Sequence, residues 1–161
     1  MNDLDYEDYL LNIPYPKPDV YSSLAMPVYN AVAYEFKTAS DMEAAFCGKT
    51  TDHTYSRITN PTVQYFEERV KQITGAFNVT SLNSGMAAIS NVFMSIAYAG
   101  SNIITSSHLF GNTYSFFVNT MKAFGVEIRF CDLTNEEDTR KNIDENTCGI
   151  FLEIITNPQM E

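Results

Sequence analysis

A chain of 161 residues, 45% hydrophobic and 13% aromatic, is long enough for one domain with a real core and too short to expect two. That composition excludes a disordered polymer. A formal net charge of −10 speaks against nucleic acid as a partner, because binding it requires clustered Lys and Arg.

The start, Met1-Asn-Asp-Leu-Asp-Tyr-Glu-Asp8, is acidic where a secretory leader is basic, and no apolar run approaches membrane-spanning length. A cytoplasmic protein without membrane contact is expected. Cys47, Cys131 and Cys148 lack C-x-x-C spacing, so buried or semi-buried free thiols in a reducing compartment are expected. His53 and His108 have no second ligand at helical spacing, and no metal site is expected.

Asn12-Ile-Pro-Tyr-Pro-Lys-Pro-Asp19 alternates prolines and favours an extended, polyproline-like run. Met26 to Phe36 continues as a mostly apolar extended strip that must lie on something, either the rest of this chain or a neighbouring subunit. Ser40-Asp-Met-Glu43 fits a capping box for a short helix through Phe46. A polar loop follows Gly48. The next helix has Asn60 as N-cap, Pro61 at its first position and Gly75 as its end. Val63, Phe66, Val70 and Ile73 mark its apolar stripe, with Glu67, Glu68 and Lys71 facing out.

From there strands and helices alternate. Phe77–Leu82 reads as a strand, Gly85–Ala99 as a helix stopped by Gly100, and Asn102–Ser106 as a strand. Thr113–Phe124 reads as a helix capped by Gly125, Val126–Phe130 as a strand, Asn135–Asn142 as a short polar helix and Thr147–Glu153 as the last strand. This is the signature of successive βαβ units, an α/β fold built on a mostly parallel sheet with flanking helices. Residues 1–60 form an N-terminal arm and short helix in this reading, and residues 61–161 the layered part. Ligands of open α/β sheets sit beyond the carboxyl ends of the strands. Three segments reach that end: Asn83-Ser-Gly-Met86, His108-Leu-Phe-Gly-Asn-Thr113 and Thr156-Asn-Pro158.

Ser84-Gly85-Met86 follows a strand and opens a helix, which presents free backbone N–H groups at a positive helix end, suited to phosphate. A small-residue turn of this kind also serves tight packing alone. Tyr55 and Arg57 sit on a polar loop before a helix start, where the guanidinium fork suits phosphate and equally suits one of the many carboxylates. Phe110 is placed either to stack on a flat ring or to enter the core. Asn157-Pro158 is a strand-end turn, and Glu153, at the end of a buried strand, needs a partner for its charge.

In this order the motifs Tyr55-x-Arg57-x-x-Asn-Pro-Thr62, Ser84-Gly-Met-Ala-Ala88, Leu109-Phe-Gly-Asn-Thr113, Phe124-Gly-Val-Glu-Ile-Arg-Phe-Cys-Asp132 and Glu153-Ile-Ile-Thr-Asn-Pro158 resemble the landmarks of the pyridoxal-phosphate enzymes of trans-sulfuration. The resemblance runs from about Pro27 to the end and is most similar to O-acetylhomoserine sulfhydrylases. Cystathionine γ-synthase and methionine γ-lyase share the landmarks, so the reaction stays open among them. The resemblance implies part of a type I pyridoxal-phosphate transferase large domain, with pyridoxal 5′-phosphate as cofactor and an acylated homoserine as substrate. It also implies a homo-oligomer, a dimer of dimers.

Residue by residue, it implies that Tyr55 and Arg57 bind the cofactor phosphate of the neighbouring subunit. Ser84, Gly85 and Met86 would bind it from their own subunit, Phe110 would stack on the pyridine ring, and Asn157 would hydrogen-bond the ring oxygen. Glu153 joins this cofactor-binding set. Many relatives have Tyr where Phe110 stands, and the missing hydroxyl bears on any proton transfer there. The family's Schiff-base Lys, in a Ser-x-Thr-Lys context, and the acid that pairs with the pyridine nitrogen both follow the Asn-Pro landmark at a distance. None of Lys17, Lys37, Lys49, Lys71, Lys122 and Lys141 stands in that context. The expectation is therefore the N-terminal part of a longer enzyme or a truncated product, with no catalytic residue of its own and two sheet edges left open.

Overall fold

The computed structural model of the chain describes residues 21–157 and residue 160. The proline-rich run before residue 20 lies outside them. The chain divides into two compact units between Ser81 and Leu82. The arm boundary expected at residue 60 falls inside the first, between the N-cap of a helix and its first residue.

In the first unit, the strip after Met26 lies along the loop that carries Tyr55. Ala33 and Tyr55 form an antiparallel bridge, the N–H of Ser56 donates to Val32 O at 2.9 Å, and the N–H of Tyr29 donates to Thr62 Oγ1 at 2.8 Å. The attachment is polar. Val28 and Val32 remain exposed, while Met26, Tyr34 and Phe36 are half-buried, so the strip's apolar side chains are only partly covered within the unit. Asn60 is the centre of this arrangement and only 7% exposed. The two hydrogens of its Nδ2 are shared among Tyr29 O at 3.0 Å, Ser56 Oγ at 3.0 Å and Tyr34 Oη at 3.2 Å, while its Oδ1 accepts the N–H groups of Thr62 and Val63. One side chain thus caps a helix and anchors the strip.

Helix α1 (Ala39–Phe46) begins one residue before the expected capping box. Thr38, in extended backbone, accepts the N–H of Asp41 with its hydroxyl at 3.1 Å, whereas Ser40 is already helical and cannot cap. Its end is a Schellman turn. Gly48, at φ 66°, donates to Ala45 O and Lys49 to Ala44 O, satisfying two terminal carbonyls. Helix α2 (Pro61–Thr74) matches the expected caps, Asn60 before it and Gly75 at φ 68° after it. Its stripe does not find a core: Val63, Ile73 and Phe66 (55% exposed) face solvent. Glu67, expected to face out, instead accepts the N–H of Ser81 at 2.7 Å and its hydroxyl at 3.0 Å. The strand expected over Phe77–Leu82 is absent, and Phe77 is 98% exposed. A strand exists only through its ladder. Among the described residues no strand lies beside this segment, and the Ser81 N–H is held by Glu67.

The second unit is an α/β layer. Helix α3 (Gly85–Ile96) leads to β1 (Asn102–Thr105), α4 (Gly111–Ser115) widens into a π-helical stretch over Phe116–Met121, and β2 (Glu127–Phe130), α5 (Glu136–Asn142) and β3 (Thr147–Phe151) follow. The sheet order is β2-β1-β3, all parallel, with Ile103 opposite Ile128 and Gly149. Every residue of the central β1 is buried, the pattern of a parallel strand covered on both faces. Phe93, Ile103, Leu109, Phe117, Met121 and Val126 form the core. Phe93 and Phe117 meet edge to face at 5.0 Å, and both approach Phe151. Gly149 lets α3 sit close: a Cβ there would come within 3.2 Å of Phe93 Cε1.

Three boundaries differ from expectation by two residues or more. Helix α3 stops at Ile96 rather than Ala99, because Ala97 turns extended and a tight turn follows, closed by Ser101 N–H to Tyr98 O at 2.9 Å. The next helix starts at Gly111, two residues early. Strand β3 ends at Phe151, not Glu153. At the amino ends of the strands a polar clasp joins all three. Arg129 pairs with Asp144 at 2.7 Å and Glu127 at 2.8 Å, Asn102 Nδ2 donates to Asp144 at 2.8 Å, and the Thr147 hydroxyl donates to Asn102 Oδ1 at 2.8 Å.

Candidate functional site

At the carboxyl ends of the strands, the sequence order of small residues produces a set of exposed donors. Ser84 is extended, so its carbonyl accepts Ala88 N–H and its hydroxyl accepts Ala87 N–H at 3.1 Å. That leaves the N–H groups of Gly85 and Met86 without a partner among the described residues, at the positive end of a 12-residue helix. Gly85 opens onto free space: nothing lies within 4 Å of where a Cβ would stand. Met86 is tied inward, its sulfur 3.6 Å from the hydroxyl of fully buried Thr113.

The loop after β1 brings Phe110 to the same end. Leu109 before it is buried, and Tyr114 N–H donates to Phe110 O at 3.0 Å to start α4. The N–H of Phe110 donates to Glu153 Oε1 at 2.9 Å. Phe110 remains 43% exposed, so its ring does not enter the core. Strands β1 and β3 are joined at these ends by Thr105 Oγ1 to Phe151 O at 2.8 Å. Beyond them Thr156 is buried, with its carbonyl accepting Met160 N–H at 2.9 Å, and Asn157 is exposed. Ser84, Gly85, Met86, Phe110, Glu153 and Asn157 all belong to this second unit.

Tyr55 and Arg57 belong to the first unit. Tyr55 O accepts the N–H groups of Ile58 and Thr59 at 2.8 and 3.0 Å, a tight turn that leaves both side chains exposed. The Arg57 guanidinium lies 5.2 Å from the Tyr55 ring centroid and pairs with no carboxylate among the described residues. Among the described residues, Arg57 therefore forms no ordinary surface ion pair.

Elsewhere the chain offers less. A cavity of about 380 Å³ lined by Met94, Tyr98, Met121, Phe124 and Val126 lies at the amino ends of the strands, away from these donors, and its lining is apolar. The free thiol of Cys47 is exposed rather than buried, since it closes α1 at the surface, and Cys131 and Cys148 are half-buried. Burial first, then the nearby Asp138, pushes the Cys131 thiol upward. His53 Nδ1 is buried without a hydrogen-bond partner among the described residues, beside the Tyr34 ring. No group of three metal-ligating side chains occurs among the described residues, and no helix there is long and apolar enough to cross a membrane.

Residues 10–161 match the sequence pattern of the Cys/Met metabolism PLP-dependent enzymes. The chain belongs to that family. Its sequence is 34% identical over 144 residues to the homocysteine/cysteine synthase of Saccharomyces cerevisiae, covering 89% of this chain and 32% of the yeast protein. It is 31% identical over 141 residues to the O-acetyl-L-homoserine sulfhydrylase of Corynebacterium glutamicum, covering 87% of this chain and 32% of that protein. Its fold superposes on an O-acetylhomoserine (thiol)-lyase of Campylobacter jejuni with a TM-score of 0.87 at 31% identity, over 97% of this chain and 38% of that one. That crystal structure carries a pyridoxyl-lysine phosphate. The chain spans about a third of the length of the curated relatives it matches.

Pyridoxal 5′-phosphate is the cofactor of this PLP-dependent family, and the residues at hand fit it. A phosphate group needs several N–H donors in a positive field, which the start of α3 supplies. A flat pyridine ring needs an exposed apolar face, which Phe110 supplies. The sequence did not reveal the Met86–Thr113 and Glu153–Phe110 contacts. Each joins residues tens of positions apart, and only the unpaired charge of Glu153 hinted at one of them.

Proposed function

We propose that this chain holds pyridoxal 5′-phosphate in a reaction of the O-acetylhomoserine sulfhydrylase type, in which the Cγ–O bond of an acylated homoserine breaks, the acyloxy group leaves as its carboxylate, and a sulfide or thiol sulfur bonds to Cγ to give homocysteine or methionine. The observation that carries the reading is the N–H pair of Gly85 and Met86, without a partner among the described residues, in the unit that also exposes the Phe110 ring. In this reading those two groups donate to the cofactor phosphate, while Ser84 keeps its own oxygens on Ala87 and Ala88 so that the pair stays free. The Phe110 ring covers one face of the pyridine and excludes water from it. Asn157 donates to the ring oxygen.

Tyr55 and Arg57 add a hydroxyl and a guanidinium to the phosphate of a neighbouring subunit, which makes a dimer, and in the whole enzyme a dimer of dimers, part of the proposal. Residues 1–60 are then an arm and short helix, and residues 61–161 part of the large cofactor-binding domain. A cytoplasmic location goes with this metabolic role. Bound, the cofactor supplies an electron sink for the substrate's α-carbon.

None of the six Lys residues stands in the Ser-x-Thr-Lys context. For these 161 residues the proposal is therefore cofactor binding, and the γ-replacement is proposed for an assembly that brings the Lys and the pyridine-pairing acid. The observation about Lys also favours a second reading, a non-catalytic chain that only holds the cofactor. Pyridoxal phosphate is added, the product is reduced with borohydride, and labelled Lys residues are mapped. A single labelled Lys supports catalysis by this chain, scattered labelling with saturable phosphate-dependent uptake supports binding alone, and no saturable uptake refutes both.

A further inference from the structure

The sequence reading places Glu153 among the cofactor ligands, but its carboxylate is already engaged. Glu153 Oε1 accepts the backbone N–H of Phe110 at 2.9 Å, across 43 residues of sequence. That N–H stands at the cap of α4, where Phe110 has no side-chain oxygen to offer and makes no side-chain capping bond. The backbone of Phe110 is thereby fixed at three points: Leu109 is buried before it, its carbonyl accepts Tyr114 N–H at 3.0 Å, and its N–H is held by Glu153. With the backbone fixed, the exposed ring has only its staggered rotamers left to choose among. A hydrogen bond to a charged acceptor is stronger than one between neutral groups, so the clamp is stiffer than a backbone acceptor would make it.

We propose that Glu153 is a positioning residue: through the Phe110 N–H it sets the Phe110 ring over the place of the cofactor's pyridine, without touching the cofactor itself. The inference rests on the cofactor reading given above for this end of the sheet. It predicts that the acceptor oxygen matters more than the charge.

The test uses the 161-residue chain and 4′-deoxypyridoxine 5′-phosphate, which keeps the ring and phosphate but lacks the aldehyde and so cannot bond to Lys. Glu153→Ala should speed exchange of the Phe110 amide hydrogen about tenfold or more while the buried β1 amides keep their rates, because only the local opening becomes easier. Glu153→Gln, which keeps an acceptor oxygen, should rescue that protection to within about threefold. Glu153→Ala should weaken probe binding about tenfold in the natural chain and add nothing in a Phe110→Ala background, since the two residues would act as one unit. An unchanged Phe110 exchange rate in Glu153→Ala overturns the clamp. Equal weakening by Glu153→Ala with and without the Phe110 ring overturns positioning in favour of direct contact. If the natural chain takes up no probe at all, the cofactor reading has failed and the positioning role falls with it. If it takes up the probe and Glu153→Ala binds equally well, only the positioning role is overturned.

Discussion

Replacing Gly85 by proline removes one proposed phosphate donor and little else. Gly85 is the first residue of α3, the position where a helix N–H has no intrahelical partner and where proline's fixed φ suits the start. Ser84 before it, at φ −161° and ψ 159°, already holds the extended conformation that a residue preceding proline prefers. Open space surrounds the position, so the ring meets nothing. The fold should therefore be kept, and the loss of unfolded-chain freedom should stabilise it by about 0.4–1 kcal/mol. Binding should move the other way. A hydrogen bond to a charged group contributes about 1.5–3 kcal/mol, and its loss should weaken uptake of 4′-deoxypyridoxine 5′-phosphate roughly 10- to 150-fold. Gly85→Ala keeps the N–H and serves as the control. Thermal melts and isothermal titration of the two variants give both quantities. Unchanged affinity in Gly85→Pro, or equal losses in Pro and Ala, would refute the hydrogen-bond reasoning, the second result pointing to crowding instead.

Arg57→Ala should leave stability within about 0.5 kcal/mol, since the side chain is exposed and its contact is the Tyr55 ring, yet weaken probe binding about tenfold in the same titration. Mixing Arg57→Ala chains with Gly85→Pro chains should restore tight sites, because a mixed dimer carries one intact phosphate cup. No recovery would argue that both halves come from one subunit. Asn60→Ala removes a helix cap and the Nδ2 hydrogen bonds to the strip at once, and should cost about 2–4 kcal/mol in denaturant unfolding, with Asn60→Asp costing less because it keeps the cap. Hydrogen bonds from Arg129 first and then Asn102 pull the Asp144 carboxyl down from 3.8 to about 2. A folded-state value below the unfolded one means its contribution is present above about pH 4 and is lost as pH falls toward 2. Denaturation midpoints across that window should fall less steeply in Asp144→Asn than in the natural chain.

The features legible in the sequence are those encoded within a few residues. Asn60, Pro61 and Gly75 bracket α2 because cap, first position and left-handed end each select a residue type. The alternation of strands and helices gave the parallel sheet, and the small-residue turn at Ser84–Gly85 gave the donor pair. The illegible features depend on partners far away in the chain. Residues 77–82 read as a strand but find no ladder among the described residues, and Glu67, 14 residues before Ser81, takes a hydrogen bond the ladder would have used. Two hydroxyls, Thr38 and Ser40, could each have capped α1, and backbone conformation alone chose between them. Glu153 was recognisable as a charge needing a partner, but not as a clamp on Phe110.

In the proposed function the Gly85 and Met86 N–H groups hold the cofactor by its phosphate. Backbone amide chemical shifts of these two residues, followed by NMR while 4′-deoxypyridoxine 5′-phosphate is added, test it most directly. Both amides should shift saturably, and the unphosphorylated 4′-deoxypyridoxine should not produce these shifts. Amides that stay in place while the ligand binds, or that move equally without the phosphate, would contradict it.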